Sequence, residues 1–154
     1  MNKKCSGIIA LLLLVIAGGV YKFIFQGSIS GSEDGRVTVD LNADERDLVL
    51  TEMRQFLESV QKITTGIAGD DMELVTEYAR KAGKAAQGAV PGTLVGKLPL
   101  GFKKLGSDTH KKFDQLALDA EEFGDGDHVL AQLSVLMQNC VSCHAAYRFN
   151  ISNE

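Results

Sequence analysis

Cys140-Val141-Ser142-Cys143-His144-Ala145-Ala146-Tyr147-Arg148, close to the C-terminus, is the stretch whose reading organises the rest of the chain. Its first five residues match the C-x-x-C-H pattern of covalent c-type haem attachment. On a helix, cysteines three positions apart project from neighbouring turns on one side, so each thiol can reach one vinyl group. His144, beside them, can direct an imidazole nitrogen at iron from the proximal face, a common ligand position.

Three other readings of the pair are weaker. A structural disulfide would close a very small loop and stabilise little. A thioredoxin-like dithiol wants its first cysteine at a helix N-terminus after a strand, and no βαβ pattern precedes Cys140. A zinc site needs further ligands, and only His110 and His128 remain, outside any second cluster.

Working back from the motif, residues 128–147 read as a helix with Val129, Leu133, Leu136, Cys140, His144 and Tyr147 on one stripe. A third helix is predicted from Ser107 or Asp108 to just before Gly124, with His110, Phe113, Ala120 and Phe123 on its inner face. A second spans Met72 to Gln87. A first starts at Asn42, where Asn42 and Glu45 have capping-box spacing, and runs to Ile67. Its stripe carries Val49, Met53, Phe56, Val60 and Ile63. Residues 89–106, with four glycines and two prolines, read as a long loop. The expected fold class is all-α: an antiparallel four-helix bundle carrying one covalent haem.

The N-terminus places Lys3 and Lys4 before an uncharged apolar run from Ile8 to Val20. This is an export signature, and with Tyr21 to Phe25 the segment is long enough to cross a bilayer. The expected organisation is a signal-anchor or transmembrane segment over 1–25, a flexible Gly/Ser-rich linker over 26–41, the cytochrome domain over 42–149 and a C-terminal tail over 150–154. Lys3 and Lys4 hold the N-terminus in the cytoplasm. The domain then lies on the periplasmic side of a bacterial cytoplasmic membrane, or free in the periplasm if the segment is removed.

All 20 acidic side chains and 13 of the 16 basic ones lie beyond residue 25, leaving that part near −7. An acidic domain without a basic stripe argues against nucleic acid and suits redox partner proteins with a positive docking patch. No constellation of catalytic acid, base or nucleophile is visible, so an enzyme is not expected.

The sixth iron position decides the function. Among Met53, Met72 and Met137, Met53 lies centrally on its stripe, where it can face the motif across a haem. A thioether there raises the reduction potential and suits electron transfer. The competing role for Met53 is core filling. Phe56 borders the same pocket, His110 is an alternative distal ligand, and Arg148 is placed to pair with a propionate or with the end of its own helix.

The run from Cys140 to Arg148 resembles the cytochrome c prime family, whose motif continues as C-x-x-C-H-x-x-[FY]-R on the last helix of a four-helix bundle. The resemblance covers about residues 43–149, and outside the motif rests on helix order and on the stretch from Leu105 through His110 to Asp114. It implies one of two behaviours. Open, five-coordinate members bind nitric oxide or carbon monoxide and are often soluble homodimers. Low-spin relatives use a methionine of the first helix as sixth ligand, which implies Met53 as the partner of His144. Val49 stands where open-iron members carry an arginine, and the apolar N-terminus departs from the soluble members. Both favour a membrane-tethered electron carrier with haem c on Cys140 and Cys143; a homodimer stays open.

Overall fold

The computed structural model describes residues 3–152. Helix α1 (Lys3–Val20) passes into a π-helical stretch, Tyr21–Gln26. Short strands β1 (Ile29–Ser30) and β2 (Val37–Leu41) follow, then helix α2 (Ala43–Ala68) and helix α3 (Met72–Lys81). A 3-10 segment (Lys84–Ala89) leads to the short helix α4 (Gly92–Lys97). The chain closes with α5 (Leu100–Phe123), α6 (Gly126–Ala146) and strand β3 (Tyr147–Ile151).

The sheet corrects the all-α expectation and, with it, the cytochrome c prime resemblance. That family is an all-helical bundle; here, among the described residues, six α-helices accompany a three-stranded sheet of order β1-β2-β3. β1 runs antiparallel to β2, and β2 pairs parallel with β3, from Val37 opposite Tyr147 to Leu41 opposite Ile151. The physical reason lies in side-chain type. Val37-Thr38-Val39 is β-branched throughout, and Tyr147, Phe149 and Ile151 alternate with polar Arg148 and Asn150, the period of a strand. As the central strand, β2 buries Thr38, Val39 and Leu41.

Two assigned boundaries change accordingly. Residues 26–41, expected as a flexible linker, hold β1 and β2, with Ser28 N–H donating to the Lys97 carbonyl at 2.7 Å and Asp40 N–H to the Ser28 carbonyl at 2.9 Å. Residues 150 and 151, expected in a tail, belong to β3, and Ser152 N–H donates to the Leu41 carbonyl at 2.8 Å.

The helical boundaries follow local chemistry. At the start of α2 the Asn42 side chain accepts from Glu45 N–H at 2.9 Å, and the Glu45 carboxylate accepts from Asn42 N–H at 3.0 Å, a full capping box. Burial opposes the Glu45 carboxylate, but the Lys97 ammonium at 2.8 Å and the Asn42 amide outweigh it and hold its pKa below the ordinary value. The second helix stops early, at Lys81. α5 starts at Leu100, behind Pro99, two turns before the expected Ser107 or Asp108. The region read as a loop is thus largely helical.

Two apolar clusters result. Ile63, Val75, Ala79, Phe113, Leu116 and Leu136, all fully buried, lie at the centre of the helical core. Val39, Leu41, Val49, Leu94 and Leu98 join the sheet to α2 and α4. Burying a Val, Leu, Ile or Phe side chain contributes about 1.5–3 kcal/mol. Gly66 lets α3 approach α2: a Cβ there would stand 2.7 Å from Val75 Cγ2 and 2.8 Å from the Asp71 carbonyl oxygen.

Candidate functional site

Helices α2, α5 and α6 enclose a cavity of about 470 Å3. Met53, Phe56 and Leu57 line it from α2, Thr109 and His110 from α5, and Cys140, Cys143 and His144 from α6. The cysteines and histidine of the motif therefore open onto the same space as Met53, from the opposite helix. Arg148 is not on that wall. Its helix has ended two residues earlier, and on β3 its guanidinium lies 3.6 Å from the Asp34 carboxylate.

The wall is built from ordinary packing. Phe56 stacks on Phe113 with ring centroids 5.5 Å apart and meets the His110 ring at 4.9 Å. His110 is buried, with Nδ1 2.7 Å from the Ala82 carbonyl oxygen and 3.1 Å from that of Gly83, while Nε2 lies 3.3 Å from a Glu52 carboxylate oxygen. Both ring nitrogens therefore face acceptors. Burial opposes the charge on His110, but the hydrogen bonds to Glu52 and Ala82 outweigh it and raise the pKa. With both nitrogens engaged inside the protein, His110 is committed to holding α2, α5 and the end of α3 together.

A second network fixes α6 against α5 one residue before the first cysteine. Asn139 Nδ2 donates to the Asp108 carboxylate at 2.8 Å and to Thr109 Oγ1 at 3.3 Å, and Lys112 pairs with that carboxylate and reaches Asn139 Oδ1 at 3.3 Å. The hydrogen bond from Lys112, then that from Asn139, holds the Asp108 pKa below its ordinary value. At the other end of the motif, Arg36 Nη1 donates to the His144 carbonyl oxygen at 3.5 Å. Cations near the last carbonyls of a helix satisfy groups the helix leaves open. Tyr147 then turns into β3, its ring edge-on to Phe102 at 5.5 Å. Gly101 admits the Tyr147 hydroxyl, since a Cβ there would lie 2.3 Å from that oxygen.

The thiols are free and half-buried. Burial raises the Cys140 pKa, and burial together with the charge of Cys140 pushes Cys143 up to about 11. A dithiol working by nucleophilic exchange needs its thiolate at neutral pH; this pair is protonated there. Its surroundings fit a flat apolar group. Leu57, Val141 and Met137 are exposed, at 70%, 69% and 42%, and two of the three line the cavity beside the thiols. Such apolar exposure next to a partly open cavity is what a covalently held macrocycle would cover.

Cys140-Val141-Ser142-Cys143-His144 is the covalent haem c attachment motif, and the residues around it fit that group. The spacing is that of the c-type haem redox proteins, and the site is consistent with one. No family model, no curated protein and no solved structure matches the chain.

Sequence reasoning brought Met53, Phe56, Cys140, Cys143 and His144 to the residues that now share one cavity. It missed Asp34 and Arg36, which approach the motif across the sheet, and Asn139, whose buried amide fixes the helix. The signal available for Asn139 was a polar residue adjoining Cys140 on the inward side of an apolar helix.

At the other end of the chain, residues Cys5–Gln26 form a helix apolar and long enough to be a membrane anchor or a signal sequence. At about 1.5 Å per residue it matches a hydrocarbon core about 30 Å thick.

Proposed function

We propose that this chain is a single-haem c-type cytochrome, anchored by α1 on the periplasmic side of a bacterial cytoplasmic membrane, that carries electrons between redox proteins. His144 and Met53 are the residues that would ligate its iron. The observation that supports this reading is the cavity shared by Met53 on α2 with Cys140, Cys143 and His144 on α6. Of the other two methionines beyond the anchor, Met137 lies on the same helix as His144, one turn before Cys140, and Met72 opens α3, away from the cavity.

When bound, the haem supplies one-electron ferric/ferrous chemistry. The chain's own residues do the rest. Cys140 and Cys143 hold the group covalently, and the Asn139 and Arg36 contacts fix both ends of the motif that carries them. Phe56 and Val60 exclude water from the apolar wall, which favours the less charged reduced state. Lys97, Lys103 and Lys104 are spread over α4 and α5, so the acidic balance of the domain dominates its encounter with a basic partner. The role is that of a carrier rather than an enzyme.

The test is an optical spectrum of the purified reduced protein, with and without carbon monoxide, for the wild type and Met53→Ala. A low-spin wild type that resists carbon monoxide, with a high-spin, gas-binding variant, supports Met53 ligation. A wild type that binds carbon monoxide at once overturns it and makes the protein a gas-binding haem protein.

A further inference from the structure

A second cavity, of about 530 Å3, adjoins the first between α2, α4, α5 and the 3-10 segment. Its interior is apolar, with Val90, Leu94, Leu98 and Phe102 on the walls. Glu52 and His110 belong to the lining of both cavities. The two spaces therefore share part of a wall.

Its position is set by α4. Phe23, in the π-helical end of the anchor, packs on that helix: a Cβ on Gly96 would stand 3.3 Å from the Phe23 ring. Lys103, another lining residue, donates from Nζ to the carbonyl oxygens of Phe23 at 2.8 Å and Ile24 at 3.2 Å. Val95 and Leu48 line the cavity and are part exposed, at 40% and 37%, so they form its rim. The cavity sits directly against the end of the apolar segment, where a molecule dissolved in a bilayer would arrive.

We propose that this cavity binds the ring of a lipid-soluble quinone, in its oxidised or hydroquinone form. The proposal rests on the membrane-anchored haem reading above. The volume lies in the range of small-molecule sites, about 300–1,000 Å3, and suits a ring head rather than a whole phospholipid. A hydrocarbon tail alone would leave the Glu52–His110 pair desolvated with no new partner, which is unfavourable. A ring oxygen answers that wall in both states without breaking the His110–Glu52 contact: a hydroquinone hydroxyl donates to the Glu52 carboxylate oxygen that His110 leaves free, and a quinone carbonyl accepts from the remaining N–H of Lys103 Nζ. The apolar rim residues Val95 and Leu48 give such a ligand an entry near the apolar segment. The shared wall puts it beside the haem cavity.

The experiment titrates the full-length, haem-loaded protein in detergent micelles with a decyl-substituted 1,4-benzoquinone, and separately with 1-decanol. Binding is followed by calorimetry and by methyl NMR shifts of Leu94 and Leu98. The expected result is saturable binding of the quinone at one site per chain, with decanol at least about tenfold weaker, a difference of about 1.4 kcal/mol. Val95→Trp on the rim and Leu94→Phe in the wall should each weaken quinone binding about tenfold or more, with the reduced haem spectrum unchanged. Leu94 is fully buried and its replacement risks the fold; Val95 is not, and its variant carries the test alone if needed. Absence of saturable binding, equal affinity for decanol, or indifference to Val95→Trp overturns the proposal. The two readings fail separately. An iron that binds carbon monoxide in the wild type defeats Met53 ligation without moving the Leu94 shifts, and lost quinone binding leaves the spectrum of a Met/His haem intact.

Discussion

The guanidinium of Arg36 donates to the main-chain carbonyl of His144, 108 positions further along the chain, and the same side chain pairs with Asp34 at 2.6 Å. Arg148, just after the motif, reaches the same Asp34 carboxylate. The hairpin that follows the anchor therefore touches the end of the haem-bearing helix. These groups are exposed, so their energies are small. Arg36→Gln should shift the urea-denaturation midpoint only slightly, because exposed ion pairs are screened by solvent. A large fall in that midpoint would show that the contact is far more buried than its exposure indicates.

The attachment itself is open to a chemical test. Wild-type protein extracted with acidified organic solvent should keep its haem in the protein fraction. The double variant Cys140→Ser, Cys143→Ser should release any haem it holds, because a serine hydroxyl forms no thioether with a vinyl group. Extraction of haem from the wild type would count against covalent attachment.

The parallel pairing of β2 with β3 makes Val39 a sensitive position. It is fully buried opposite Phe149. Val39→Asp places a carboxylate between the sheet and α4 with no partner and should cost about 3 kcal/mol or more. Thermal unfolding reads this directly, and a Tm near that of the wild type would mean the sheet does not contribute to the cooperative unit.

Glu45 gives stability a pH dependence with a definite sign. Its folded pKa lies below the ordinary 4.5, so the contribution is present above that value and disappears as pH falls through the folded pKa. Removing the ammonium with Lys97→Met should cost about 1–2 kcal/mol at pH 7. The difference from wild type should shrink between about pH 5 and pH 3. A constant difference across that window would assign the loss to packing of the lysine stem.

What was legible in the sequence was local. The capping box of Asn42 and Glu45 marks the start of α2 because its donors and acceptors are three residues apart, and Gly124 ends α5 in a left-handed turn at φ 62°. The motif at Cys140 carries its chemistry within five residues. The strands were hidden for the opposite reason. Val37 finds its partner at Tyr147, and no window over either segment contains the other. Tyr147 also continues the three-and-four spacing of α6, so helical periodicity absorbed it and concealed the alternation that follows. The first two turns of α5 contain Gly101 and Gly106, poor helix formers. They are helical because Phe102 packs on Tyr147 and Phe149. Met53 and Phe56 were legible because the cavity wall is the apolar stripe of one uninterrupted helix.

A free chain covering residues 26–41 would let its cargo wander about 20–24 Å from its attachment point. Here that stretch is stitched at Ser28 to α4 and along β2 to the strand that leaves the haem-bearing helix. On the reading proposed above, the domain stands on its anchor at a fixed height and azimuth, a turret rather than a buoy. A redox partner, on that reading, must bring its own docking face to a heading the sheet has already chosen.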